Sequence, residues 1–501
     1  MDKQIRIAPN EFFLRRKVEL NMPVITADEL HRTAKYFMDS GKAASHEEAM
    51  TILASFSLSI RVSDSMASSA LEQTALFTLL NLASRTLLGG VEVVGAPNSV
   101  ATSPLYDGRN IRDVIIELGG KHASATDEPL TRPVALIGDA TAAPNGSPQW
   151  RLTWSGWRGG VVMEGHARLD EQRAIGLAPV LASAVCAAEV FAFLSKAHTL
   201  AGRRSAGLSL WNPEMDWRIN SDEPELKYLP ASLWLIGLGN LGQAYAWAIA
   251  ALDFPKAAKA KLMLQDTDRI GVSNHSTSLL SYPVDVGKKK TRVVATWLEE
   301  RGFDTTLEER LFGDWSRRTM SEPGVALCGV DNAEARAALD AAGFGLVVEA
   351  GLGAGLDSFQ SVGIHTFPAS RSSGLIWGRQ IGQSNPSFRN APAYAWLAED
   401  GMDECGLVHL ASRTIAVPFV GLLAGCLAVC EVLRRLHSGP TIEVLSISAL
   451  AIADAEVVWS MDAGPYAFGF VHAKEPVEPG AVLSSARAAA RGPSAPLVQL
   501  A

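Results

Sequence analysis

The stretch from Ala231 to Lys290 reads ASLWLIGLGNLGQAYAWAIAALDFPKAAKAKLMLQDTDRIGVSNHSTSLLSYPVDVGKKK, and its pattern decides the fold. Leu233 to Ile236 is a short apolar run of the kind a buried parallel strand requires. Gly237, Gly239 and Gly242 follow in G-x-G-x-x-G spacing, and an Ala-rich helix is predicted to about Leu252. A second apolar run, Lys261 to Leu264, ends on Asp266-Thr267-Asp268. This is a strand, glycine turn, helix, strand and acid, the nucleotide-binding half of a doubly wound sheet. Glycines let the turn tighten and leave the next helix N-terminus free to offer N–H groups to phosphate. Asp266 stands where a carboxylate can accept hydrogen bonds from ribose hydroxyls.

A dinucleotide oxidoreductase shows the same unit, so the residues beyond Asp268 separate the readings. A polar block follows, with Asn274, then Asp285 and Gly287, and a lysine run ending at Lys290. Further on, the strand-like run from Val325 ends at Asp331-Asn332, with Arg336 after it. This set resembles the ubiquitin-activating enzyme family, including its ThiF/MoeB-like adenylating relatives, over roughly Ala231 to His472. The family pattern is a G-x-G-x-x-G turn, acid-x-acid, an Asn with Arg-Gln after it, D-x-G-x-x-K, and D-N-x-x-x-R. One departure stands out: the family's Arg-Gln is Thr277-Ser278 here. That Arg helps to hold ATP phosphates in the family, so the resemblance implies either a replacement cation or impaired turnover.

The resemblance implies an α/β fold: a doubly wound, Rossmann-like adenylation domain preceded by a degenerate, pseudo-symmetric copy. It implies ATP over Gly237, Gly239 and Gly242, with Asp266, Asp268, Asn274, Asn332 and Arg336 around it. Lys290 would lie beside the phosphates as a catalytic charge, and Asp331 would hold Mg²⁺. The implied reaction adenylates the C-terminal carboxylate of a ubiquitin-like protein and passes the acyl group to a cysteine and then to a conjugating enzyme. The arrangement resembles the activating proteins of bacterial ubiquitin-like conjugation operons, with antiviral defence as the implied setting. Alternatives are a sulfur-carrier or cofactor-pathway adenylyltransferase without a catalytic cysteine, a nicotinamide-dependent oxidoreductase, and a non-catalytic scaffold.

Composition bounds these readings. A chain of 501 residues has room for two or three domains, and 48% hydrophobic content supplies their cores. A net charge of −8 gives no reason to propose a nucleic-acid partner. Five cysteines without a C-x-x-C pair indicate neither a disulfide framework nor a structural zinc. The N-terminus has no signal-peptide pattern, and the apolar run from Ile415 to Cys430 falls short of the ~20 residues that span a bilayer. The expectation is a cytoplasmic protein without a membrane partner, a monomer through its paired halves or a homodimer.

Residues 1–228 read as the degenerate domain. Leu58 to Val62, a helical pattern from Leu71 to Leu87, and Val91 to Val94 follow the order of the second half. Pro133 to Asp139 matches Gly324 to Asp331, and Leu181 to Val190 matches Leu423 to Val432. Three pairs in one order point to duplication. The glycine turn is replaced by Val62 to Ala67, and Asp64 there is expected to repel phosphate. Arg6, Arg15, Arg16 and Arg32 precede this half, and the resemblance implies that one N-terminal Arg reaches ATP without saying which.

The active domain is predicted over 229–473, with an insertion at about 355–415 and a flexible tail over 474–501. Cys405 lies in the insertion, in a stretch read as a polar loop just ahead of an apolar helix. Autophagy-type members of the family place a catalytic Cys ahead of the matching helix, so Cys405 is the implied nucleophile. Cys186, Cys328, Cys426 and Cys430 fall in apolar patterns and are read as core residues.

Overall fold

Two runs of strand and helix repeat one order in the computed structural model, which describes residues 26–474 apart from 27, 125–130, 145, 220–221, 256–257, 381–390, 400–401, 403 and 461–463. The first run holds α1 (Ala34–Asp39), α2 (His46–Ala54), β1 (Ser57–Val62), α3 (Ala70–Ala83), β2 (Gly90–Val94), α4 (Ile111–Glu117) and β3 (Gly120–Ala123). It continues through β4 (Val134–Ile137), β5 (Gln149–Ser155), β6 (Arg158–Met163), α5 (Leu177–Leu194) and β7 (Ala206–Ser209). Its sheet runs β3-β2-β1-β4-β5-β6-β7, parallel as far as β5 and antiparallel beyond.

The second run holds β8 (Tyr228–Pro230), β9 (Ser232–Ile236), α6 (Asn240–Ala250), β10 (Lys261–Gln265), α7 (Lys290–Glu299), β11 (Asp304–Glu308), β12 (Val325–Cys328) and α8 (Ala333–Ala337). Then come β13 (Leu346–Leu352), β14 (Ser361–Phe367), α9 (Ser373–Trp377), α10 (Pro392–Glu399), α11 (Glu404–Ser412) and α12 (Pro418–Leu436). They are followed by β15 (Thr441–Ser448), β16 (Ala451–Ser460) and β17 (Phe470–His472). The sheet order is β11-β10-β9-β12-β13-β14-β15-β16, again parallel and then antiparallel, and β8 pairs with β17 outside it. Strand for strand this is the first sheet with one edge strand added. The central strands are almost continuously apolar and buried, as helices on both faces of a parallel sheet demand.

The halves meet through helices that match one another. α5 packs on α12, and Trp247 on α6 donates from Nε1 to Thr78 Oγ1 on α3 at 3.1 Å. A Cβ on Gly176 would stand 1.9 Å from the Ala251 carbonyl oxygen, so only glycine allows that approach. The matched Glu189 and Glu431 are both buried, each with an arginine partner. Arg204 beside Glu189 donates to Leu450 O in the second half at 2.7 Å, and Arg434 beside Glu431 donates to Leu210 O in the first. This reciprocity is that of a two-fold interface, made here within one chain. α5 is long and apolar enough to cross a bilayer, but 89% of it is buried in this shared core.

Two sequence expectations change. The insertion begins after Phe367, not near Gly355, because Ser361–Phe367 is a sheet strand whose counterpart is β6. Cys405 is not in a loop: Glu404–Ser412 is helical, with Leu407 partly buried against the core and Leu410 and Ala411 buried. Leu410 and Ala411 sit three and four residues after Leu407, which is a helical period. The insertion is also tied down. Tyr394 on α10 donates to Asp39 Oδ1 at 2.6 Å, and Lys35 on α1 bridges both groups in a buried cluster. The predicted tail beyond residue 474, and Arg6, Arg15 and Arg16, lie outside the described residues.

Candidate active site

The second sheet reverses direction of growth at β9, whose neighbours are β10 and β12. Ligands of doubly wound folds bind at such a switch point, outside the carboxyl ends of the strands. The glycine turn leaves β9 there. Gly237 holds φ +81, and a Cβ on Gly242 would lie 1.9 Å from the Gly237 carbonyl oxygen, so both positions need glycine. α6 begins at Asn240, with its first turn facing the crevice beside Gly329 at the end of β12. Both polar side-chain atoms of Asn240 and the hydroxyl of Ser278 are buried without a hydrogen-bond partner among the described residues.

Asp266 leaves β10 and is held in place. Its Oδ2 accepts from Leu238 N at 2.6 Å and its Oδ1 from Asp268 N at 2.7 Å. Lys290, at the first position of α7 and 8% exposed, reaches back to this acid pair. Its Nζ donates to Asp268 Oδ2 at 2.8 Å and lies 3.9 Å from Asp266 Oδ2. Gly287 turns at φ +86, and the Asp285–Lys290 stretch pairs back onto Arg269. Asn274 is spent locally, its Oδ1 accepting from Gly271 N at 2.9 Å. Asn332 caps α8 by accepting from Ala335 N at 2.7 Å. Asp331 follows β12, is exposed, and has no hydrogen bond or ion pair among the described residues.

Arg336 points elsewhere than its motif suggests. Its Nε donates to Val330 O at 2.9 Å and lies 3.3 Å from the fully buried Glu349, and its guanidinium stacks 4.5 Å over Trp377. His365 closes the same cluster, 3.1 Å from Glu349. The sequence signal for this was an acid inside the apolar run of β13, which calls for a buried cation.

Two arginines outside the motifs bear on the site. Arg85 of the first half donates to His275 O at 2.6 Å, Leu279 O at 2.8 Å and Ser281 O at 3.0 Å, buttressing the loop that carries Asn274 to Ser281. Arg32 donates from its backbone N to Ser276 Oγ at 3.2 Å and from Nε to Thr414 O at 2.7 Å. Burial and Arg413 pull the Arg32 guanidinium down to about 10, while Asp331 acts in the other direction, so the three charges share one region. Arg32 is the N-terminal arginine among the described residues, and the fold ties it to the loop that carries Asn274 to Ser281.

The first half has the same switch point and fills it with its own carboxylate. Glu72, on the first turn of α3, accepts from Ser65 Oγ at 2.6 Å and Ser63 Oγ at 3.1 Å. Asp64, expected to block phosphate, is exposed; Glu72 takes that place. Burial first, and then Glu171 and Asp139, raise the Glu72 carboxyl above the usual range, against the pull of both serines. A non-hydrolysable ATP analogue titrated into the intact chain should therefore bind once; two sites per chain would contradict the degenerate-half reading.

Cys186, Cys328, Cys426 and Cys430 are buried as predicted, and burial pushes their thiols up, those of Cys328 and Cys430 to about 12. Cys405 is on the first turn of α11, and its side chain lies outside the described residues.

Residues 229–439 match the BilD C-terminal domain family and residues 57–210 the BilD N-terminal domain family. The chain is 52% identical over 447 residues to the bacterial E1-like protein BilD of Collimonas sp. (strain OK412), covering 89% of this chain and 96% of that protein. Among solved structures, E. coli MccB is similar at a TM-score of 0.30 and 12% identity, over 47% of this chain and 63% of that one. E. coli tRNA N6-threonylcarbamoyladenosine dehydratase, TcdA, gives 0.26 and 16%, over 41% of this chain and 86% of that one.

Proposed function

The chain belongs to the BilD family of bacterial E1-like proteins, and from that premise we propose that it uses ATP to activate the C-terminus of a ubiquitin-like protein. One observation carries the reading. The glycine turn, Asp266, Lys290 and Asp331 converge at the switch point of the second sheet, whereas the first sheet fills its switch point with Glu72.

In this reading the ATP phosphates lie over the turn from Gly237 to Gly242, against the free N–H groups of α6. Asp266 takes the ribose. Asp331, a carboxylate without an ion-pair partner among the described residues, would hold Mg²⁺, which would supply positive charge against the phosphates. Asp268, Asn274, Asn332 and Arg336 act by shape: Asp268 stores Lys290 between turnovers, Asn274 and Asn332 fix their turns, and Arg336 anchors α8.

A carboxylate oxygen of the ubiquitin-like C-terminus attacks the α-phosphorus. A new P–O bond forms, the bond to the β-phosphate bridge breaks, and pyrophosphate leaves. Lys290, released from Asp268 by the incoming polyphosphate, stabilises the charge that builds on the phosphoryl oxygens. Arg32 lies on the same side and offers a second positive group. The Cys405 thiolate then attacks the acyl carbon; AMP leaves and a thioester remains, ready for a conjugating enzyme. The testing experiment is ATP–pyrophosphate exchange that depends on the carboxyl terminus of a ubiquitin-like protein.

A further inference from the structure

A polyphosphate entering this site meets Asp266, Asp268 and Asp331 at the strand ends, and the cations nearest in sequence are committed elsewhere. Lys290 serves Asp268 and Asp266, and Arg336 serves Glu349. Position 277 is a buried, neutral threonine. Lys289 and Arg269 beside the same acids are tied to the Thr267 and Gly287 carbonyls, and a dense anion held among three carboxylates needs more positive charge than Lys290 alone supplies.

The fold brings that charge from far along the chain. Three segments interlock over the Asn274 to Ser278 turn: residues 28–32, residues 273–277 and residues 413–416. Asp28 O accepts from Ser273 N at 2.8 Å, and Ser276 Oγ accepts from Arg32 N at 3.2 Å, one residue from Thr277. The Arg32 guanidinium is gripped by Thr414, through its carbonyl at 2.7 Å and its hydroxyl, both neutral acceptors. Arg413, the residue before Thr414, has one donor on Asp28 Oδ1 at 2.8 Å, an exposed carboxylate. Its Nε is buried without a hydrogen-bond partner among the described residues. These contacts hold the Arg32 and Arg413 pair against the turn that runs from Ser273 to Thr277.

We infer that Arg413, on the stretch leading into α12, is the phosphate-binding cation that stands in for the absent charge at position 277, acting beside Arg32. Its ligand is the polyphosphate of ATP, and pyrophosphate in the reverse direction. In the absence of nucleotide it rests on Asp28; with nucleotide it exchanges that water-exposed carboxylate for phosphate oxygens. The assignment rests on the adenylation reading. It also means that α11, whose first turn carries Cys405, is followed directly by an arginine that meets the nucleotide.

The test is ATP–pyrophosphate exchange by the full chain, with saturation curves in both ATP and pyrophosphate. Wild type, Arg413→Ala, Arg413→Lys and Asp28→Asn are compared, with melting temperature as the control for folding. Arg413→Ala should raise KM for ATP and for pyrophosphate about 10–100-fold, the range expected for hydrogen bonds to a charged group. Arg413→Lys should recover part of that loss, and Asp28→Asn should stay within about two-fold of wild type, as for an exposed ion pair. Wild-type constants in Arg413→Ala, or the same defect in Asp28→Asn, would overturn the assignment and leave Arg413 as an anchor for the N-terminal segment. Exchange in no protein, wild type included, would remove the adenylation reading and this assignment with it.

Discussion

Replacing Lys290 with alanine should lower ATP–pyrophosphate exchange by about 10²–10³-fold, or ~3–4 kcal/mol of transition-state stabilisation, with the fold intact. The first half of that expectation comes from position. Lys290 is the buried amine that reaches the acid pair at the end of β10, the strand beside β9 and its glycine turn. The second half comes from its partners. Asp268 is 66% exposed on its side chain and is rehydrated when the amine is lost, while Asp266 keeps its two backbone N–H donors. A core lysine would behave in the opposite way, since losing it strands a buried carboxylate. The check is exchange rate alongside thermal melting. A variant with normal exchange, or one that fails to fold, would remove Lys290 from the phosphate site.

Cys405→Ala should retain exchange and lose the thiol-sensitive adduct with the ubiquitin-like protein entirely. Four other cysteines are sealed in the core, and a thiol raised to about 12, as at Cys328 and Cys430, leaves on the order of 10⁻⁵ of itself as thiolate at neutral pH. Cys405 differs in where its backbone stands. It stands on the first turn of α11 rather than in one of the buried strands or helices that hold the other four. Adduct formation is read on a non-reducing gel with and without added thiol. An adduct that survives in Cys405→Ala and vanishes in Cys328→Ala or Cys426→Ala would name a different nucleophile. If no protein forms one, the chain is an adenylating enzyme of the sulfur-carrier type.

The paired fold was legible because parallel strands leave a strong trace: an apolar run, a turn and an acid, repeated in one order. The insertion boundary was misread although Ser361 to Phe367 alternates as a sheet strand should. Surrounding Ser, Gly and Arg residues hid that short signal. The helix of Cys405 is hard to read because its apolar face is short, Leu407, Leu410 and Ala411, and its first turn contains Gly406, a poor helix former. The charges of the site were the least legible part. A D-N-x-x-x-R spacing cannot say that Arg336 turns to Glu349, because that partner lies on another strand. Arg32 and Arg413 are ordinary residues in sequence. Their place is fixed by contacts across hundreds of residues, the Arg32–Thr414 bond spanning 382 positions, and local pattern holds no record of those.

The central claim is that this chain adenylates a ubiquitin-like C-terminus, and labelled pyrophosphate exchange into ATP tests it most directly. The assay needs the full chain, ATP, Mg²⁺ and a small ubiquitin-like protein, supplied once intact and once with its terminal carboxylate converted to an amide. The account predicts exchange with the intact protein, none with the amide and none without a carrier. Exchange that ignores the carboxylate, or no exchange with any carrier while ATP still binds, would contradict it.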